Sequence, residues 1–180
     1  MLHCVRLYKN SGFILFFVLI FMQILILLSW YMINNILLET KINQDVLEQH
    51  AFFMEAAKTL NEVENFLLNQ VPSCIIPITE THLLVSQPLS WWESPVTCTG
   101  SLSQFKYYYV AEFLTEDPCA TIEQMKAIAD YYRITLFFLS SESNRKIFLQ
   151  STVAVASTLS KQCKGSSHSV MLGRQSWREI

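Results

Sequence analysis

An apolar run near the start of the chain constrains the fold more than any other feature. From Phe13 to Ile33, 21 consecutive residues carry no charge, and only Gln23 and Ser29 are clearly polar. At about 1.5 Å rise per residue a helix of that length reaches roughly 30 Å, the thickness of a bilayer's hydrocarbon core. Arg6 and Lys9 precede the run, whereas Glu39, Lys41, Asp45 and Glu48 follow it. The excess of positive charge on the N-terminal side predicts an N-terminus in the cytoplasm and a body outside it. The remaining sequence, about 140 residues, is a common size for one domain with its own core.

The apolar run does not end in a turn signal. The segment "NNILLETKINQDVLEQHAFFMEAAKTLNEVENFLLNQV" has no Pro or Gly, and its apolar residues Ile42, Val46, Phe53, Ala57, Leu60, Val63 and Leu67 recur at helical spacing. Glu39, Asp45, Glu48, Glu55, Glu62 and Glu64 fall mostly on the opposite face, and Pro72 closes the element by removing a donor and clashing with the preceding turn. Residues 13 to 70 therefore read as one long helix, a span over 13–33 continued by an amphipathic stalk over 34–70.

Beyond it the character changes. Pro72, Pro77, Pro88, Pro95 and Gly100 mark residues 71–101 as irregular chain with at most short strands. Three segments rich in aromatic and branched residues follow, Phe105 to Leu114, Tyr132 to Ser140 and Lys146 to Ser157, and these read as strands. "SESNR" is a short polar connection that makes the last two antiparallel neighbours. "TIEQMKAIADYY", between the first two, reads as a short helix. The last stretch, residues 164–180, is polar and rich in small residues, and is expected to be partly disordered.

A body outside the cytoplasm permits disulfides. Cys74, Cys98, Cys119 and Cys163 form an even set in the body, apart from Cys4 in the N-terminal stub, and two bridges can form in any of three connectivities. If the three strands run as a meander, the first and third end at the same edge. That favours Cys119 with Cys163, and leaves Cys74 with Cys98.

Several classes of chemistry lack support. No cysteine pair has the spacing of a zinc site. His50, His82 and His168 lie far apart, with no nucleophile motif nearby, and Glu62 and Glu64 read as helix surface rather than as an acid and base pair. The chain has only four glycines and no phosphate loop, and its net charge of -2 offers no electrostatic case for nucleic acid. An enzyme, a cofactor and a metal are therefore not expected. Trp91 and Trp92 are expected to pack under the proline-rich loop rather than to form an exposed patch.

The stub resists two simple explanations. A secretory signal would place small residues after the apolar run, where this chain has "LLSWYMINN". A lipoprotein at Cys4 would need its apolar run first, and the order is reversed.

A short basic leader ending in Gly12, an apolar helix from Phe13 that becomes an amphipathic stalk, and a C-terminal antiparallel sheet together resemble type IV pilins. The segments "AFFMEAAKTLNEVE" (Ala51 to Glu64) and "YYRITLFFLSSESNRKIFLQSTVAVAS" (Tyr131 to Ser157) look more specifically like the PilX-type minor pilins of type IV pilus assembly. The resemblance implies an α+β pilin-like fold with a leader over 1–12, a head over 71–163 and a polar tail over 164–180. It implies that a prepilin peptidase cuts between Gly12 and Phe13, that Phe13 is then N-methylated, and that Phe13, Ile14 and Phe17 pack against other subunits. The helix would anchor the protein in the inner membrane with its head in the periplasm, then enter the core of a pilus beside minor and major pilins.

One departure matters. Major pilins usually carry a glutamate at the fifth mature position, able to pair with a neighbour's N-terminal ammonium in an apolar bundle; here that position is Phe17. The resemblance thus points to a low-copy subunit that primes or promotes assembly. The alternatives are a minor pseudopilin of type II secretion, which shares the body plan, and an uncleaved single-pass membrane protein with a periplasmic binding domain.

Overall fold

The computed structural model describes residues 11–70, 72–102, 104–122, 127–141, 143, 145–157 and 163–180. Helix α1 runs unbroken from Ser11 to Asn69. The chain divides into two compact units, one ending at His50 and the other comprising Ala51–Ile180.

In the first unit every side chain from Phe13 to His50 is exposed. The helix there is held by its own backbone bonds and by local contacts, such as the Thr40 hydroxyl donating to the Ile36 carbonyl at 2.8 Å. The absence of Pro and Gly between Phe13 and Gln70 lets it continue without interruption.

The second unit begins with the last turns of α1 and adds β1 (Ile75–Ile76), α2 (Thr81–Val85), α3 (Leu89–Trp92), β2 (Cys98–Leu102), β3 (Phe105–Ile122), β4 (Ala127–Ser140), β5 (Lys146–Ala156), β6 (His168–Ser169) and β7 (Gly173–Glu179). The sheet has the order β1-β3-β4-β5-β7. β3, β4 and β5 form an antiparallel meander, with Tyr108 opposite Phe137 and Phe137 opposite Phe148. The free side of the long β3 is shared along its length. β2 pairs antiparallel with Phe105–Tyr109, β1 runs parallel beside Ala111 and Glu112, and β6 runs parallel beside Ala120 and Thr121.

Elements pack on both faces of the sheet. On one, Phe52, Ala56, Leu60, Val63 and Leu67 of α1 make a stripe at intervals of three and four residues, packed on Ala111, Ile134, Leu136, Phe138, Leu149 and Val153. On the other, α2 and α3 contribute Leu84 and Trp92 to a cluster with Ile76, Tyr108, Val110, Phe137 and Phe148. Phe137 and Phe148 stack with ring centroids 4.5 Å apart. Burial on two faces explains why "ITLFF" in β4 has no apolar and polar alternation. Trp92 is wholly buried, and Trp91 packs edge-on against it at 5.0 Å.

Five expectations need correction. The sheet is mixed, because the two-residue strands β1 and β6 pair parallel with β3. Of the segment expected to hold a short helix, residues 123–126 lie outside the described residues, and the described remainder is strand, with Thr121 and Ile122 in β3 and the chain from Ala127 in β4, where Ala120, Ile122, Ala129 and Ala154 make a small apolar cluster. The tail is ordered, since β7 pairs with Leu149–Ala154 of β5 and covers what would be an open edge. Glu64 is buried rather than on the helix surface. Ile42 and Val46, at the N-terminal end of the expected stripe, are exposed, and the packed stripe begins at Phe52.

Candidate functional site

The residues that the sequence singles out at the N-terminus lie on the bare part of α1. Gly12 and Phe13 fall in its first turn, and residues 1–10, with Cys4, Arg6 and Lys9, lie outside the described residues. Phe13, Ile14 and Phe17 expose 66%, 64% and 57% of their surface. Spacing of four residues brings the Phe13 and Phe17 rings edge to face at 4.9 Å, so the two present one aromatic patch on one side of the helix. The apolar residues from Phe13 to Leu38 are all exposed, with no cover from this chain. A surface of that extent has a large free-energy advantage in lipid or against other helices. One helix is long and apolar enough to cross a membrane, and is a candidate anchor.

In the second unit the structure joins Cys74 to Cys98 and Cys119 to Cys163, the pairs favoured by the meander. The first bridge ties the chain leaving α1 to β2, which is held against β3. The second ties the far end of β3 to the segment leading to β6. Two disulfides fit an oxidising compartment.

The histidines are not brought together. His82 lies 3.3 Å from Glu80 and His168 lies 3.6 Å from Asp117, both pairs substantially exposed, and His50 is on the bare helix. Among the described residues no group of three His, Cys, Asp or Glu side chains could hold a metal ion.

The strongest electrostatic feature is one that sequence reasoning missed. Glu112 of β3 is completely buried, and Arg133 stands opposite it on β4. Arg133 donates from Nε to Glu112 Oε2 at 2.7 Å and from Nη2 to Oε1 at 2.8 Å, and Nη2 also donates to the Thr79 carbonyl at 2.6 Å. The Thr79 N–H returns a bond to Glu112 Oε1 at 2.7 Å, so the carboxylate is fully satisfied. The hydrogen bonds that Arg133 donates to Glu112 hold its guanidinium above its ordinary pKa, outweighing the opposing effect of burial. The pair pins the proline-rich segment to the sheet. Its only signal in the sequence is one charge of each sign in two segments rich in aromatic and branched residues.

A second pair joins the two ends of this unit. Arg174 of β7 donates from Nε to both oxygens of Glu64 at 2.9 Å, with Nη2 2.8 Å from Oε2. It clasps the C-terminal part of α1 to the last strand, 110 residues later.

Together these features define a class: an α+β protein with a candidate membrane anchor and a disulfide-bonded head. No protein-family model, curated protein or solved structure matches the chain.

Proposed function

We propose that this chain is a non-enzymatic assembly subunit, a minor pilin that primes or promotes type IV pilus assembly. The carrying observation is that one unbroken helix is bare from Phe13 to His50 and packed on a disulfide-bonded sheet from Phe52 onward. Its uncharged stretch from Phe13 to Ile33, bare on all sides, is suited to the membrane before assembly and to lateral packing among other helices afterwards. Phe17 offers no carboxylate to the ammonium that cleavage would leave on a neighbouring subunit, consistent with a subunit that does not repeat along a shaft. In this reading the partners are other minor and major pilins and the prepilin peptidase. The protein resides in the inner membrane with its head in the periplasm until it enters a pilus.

Phe17 also suits a minor pseudopilin of type II secretion, and the company the gene keeps, pilin-like or secretion reading frames, separates the two. N-terminal sequencing and intact mass of protein extracted from cells with an active prepilin peptidase should find N-methylated Phe13 as the first residue. Gly12→Val should abolish that processing. A retained Met1 in the unchanged protein would overturn both pilin readings in favour of an uncleaved anchor.

A further inference from the structure

The face of the sheet that carries α2 and α3 is not covered along its whole length. Past Thr81 lies a cavity of about 280 Å³ whose lining includes Leu114, Arg133, Gln150, Thr152, Ser176 and Arg178, with Ser151 of β5 and Trp177 of β7 beside them. Two irregularities in the sheet border it. The β3 to β4 register shifts between Phe113 and Thr115, which makes Leu114 the extra residue on β3. The β5 to β7 register shifts between Thr152 and Val153, where Ser176 and Arg174 are the successive partners and Gln175 is the extra residue. Bulges of this kind re-aim side chains.

The bulge in β7 has a specific result. Arg174 and Arg178 are four residues apart, and in a regular strand they would point to the same face. Here Arg174 reaches Glu64 on α1, and Trp177 packs near Phe53 on that same side. Arg178 lies on the opposite side, donating from Nε to Gln150 Oε1 at 3.1 Å and from Nη2 to the same oxygen at 2.7 Å. Its Nη2 also lies 3.3 Å from the Thr81 hydroxyl. No carboxylate of the described residues pairs with it. Arg133 is already neutralised by Glu112, and none of the lining residues is acidic. Among the described residues the lining therefore holds one guanidinium, that of Arg178, whose hydrogen bonds run to neutral oxygens, together with the hydroxyls of Thr152 and Ser176.

We propose that this cavity is a binding site for a carboxylate, supplied either by a small free acid or by a Glu or Asp side chain of another protein. A guanidinium held in a fixed orientation by a side-chain amide matches the planar fork of a carboxylate, as an isolated lysine would not. The cavity is at the small end of the range for ligand sites, suited to one carboxylate and a few carbons.

The test is titration of the full-length, detergent-solubilised protein carrying ¹⁵N-labelled arginine, reading the Arg133 Nε–H resonance so that the reporter survives replacement of Arg178. Succinate, a peptide with one glutamate among neutral residues, and inorganic phosphate are the probes. Saturable shifts with succinate or the peptide are expected, and the tighter of these two identifies the source. Arg178→Gln should weaken binding at least tenfold, and Arg178→Lys, which keeps the charge and the exposed position, should weaken it severalfold. Lys106→Gln, at an exposed site away from the cavity, should bind as the unchanged protein does. Absence of saturation by about 50 mM succinate or peptide, unchanged affinity in both Arg178 variants, or tighter binding of phosphate than of either carboxylate would overturn the assignment.

Discussion

Between Phe13 and Ile33 helix α1 is apolar on every side, whereas between Ala51 and Asn69 it is apolar on one. The first stretch buries nothing within this chain; the second places Phe52, Ala56, Leu60, Val63 and Leu67 in the core of the sheet. Both are helical for the same local reason, a run without Pro or Gly, but they gain stability from different surroundings. An all-round apolar helix needs a medium, lipid or other helices, while a striped helix needs a partner face that the same chain supplies. Hydrophobicity alone therefore does not say where a helix's stability resides. Its angular distribution does.

Core substitutions should split the two stretches most sharply. Phe138 contacts Phe52 and Phe105, with ring centroids 5.3 Å and 5.2 Å away, and is completely buried. Phe138→Ala should destabilise the head by about 3–5 kcal/mol, from lost burial and the cavity left behind. Leu25→Ala, in the bare stretch, should leave the head's denaturation midpoint unchanged. Urea titration followed by near-ultraviolet circular dichroism checks both. A large effect of Leu25→Ala on the head would erase the distinction.

How much of this was legible from the sequence depended on how far apart the interacting residues lie. The helix was readable because its cause is local: no breaker, then Pro72. So were the β4 to β5 hairpin, joined by five residues, and the core strands with their aromatic and branched residues. What escaped depends on pairing at a distance. Thr121 and Ile122 sit in a segment whose composition suits a helix, yet the long β3 to β4 ladder pairs both of them as strand, a case of tertiary context overriding propensity. Residues 173–179, "GRQSWRE", have no apolar alternation because β7 is an edge strand with mostly exposed side chains, held by its pairing with β5 and its contacts with α1. Gly173 marks its start, with a φ of 98° that an L side chain rarely adopts. Glu112 and Arg133 lie in separate strand segments, and only the register places them opposite one another. Of the candidate site residues, the four body cysteines were legible through the meander, because a strand order constrains which loops meet.

The second bridge offers a way to sharpen the contrast within the head. Cys119 and Cys163 close a separation of 44 residues and hold the approach to β6, whereas α1 packs on the sheet without it. Replacing both cysteines by serine should cost about 2–4 kcal/mol, chiefly by freeing the unfolded chain. Amide hydrogen exchange should show the loss of protection concentrated at Ala120, Thr121 and Val170, where Val170 donates its N–H to the Thr121 carbonyl at 3.0 Å. Equal loss across Leu60 and Leu67 would mean that the bridge supports the whole domain.

The smallest effect concerns the clasp between α1 and the last strand. Glu64 is 5% exposed at its side chain and Arg174 32%, so water screens one partner and not the other. Removing the partners is then unequal. Arg174→Gln leaves a buried carboxylate without its cation and should cost about 2–3 kcal/mol, while Glu64→Gln leaves a guanidinium that can reach water and should cost about 1 kcal/mol. The double variant should cost less than the sum, because each single change already loses the same bonds. Thermal denaturation of the four proteins measures the coupling. Strict additivity would show that β7 holds to β5 by its ladder alone. Coupling would show that α1 from Ala51 onward is secured to the sheet by charge as well as by its stripe, a constraint without counterpart among the neutral residues between Phe13 and Ile33.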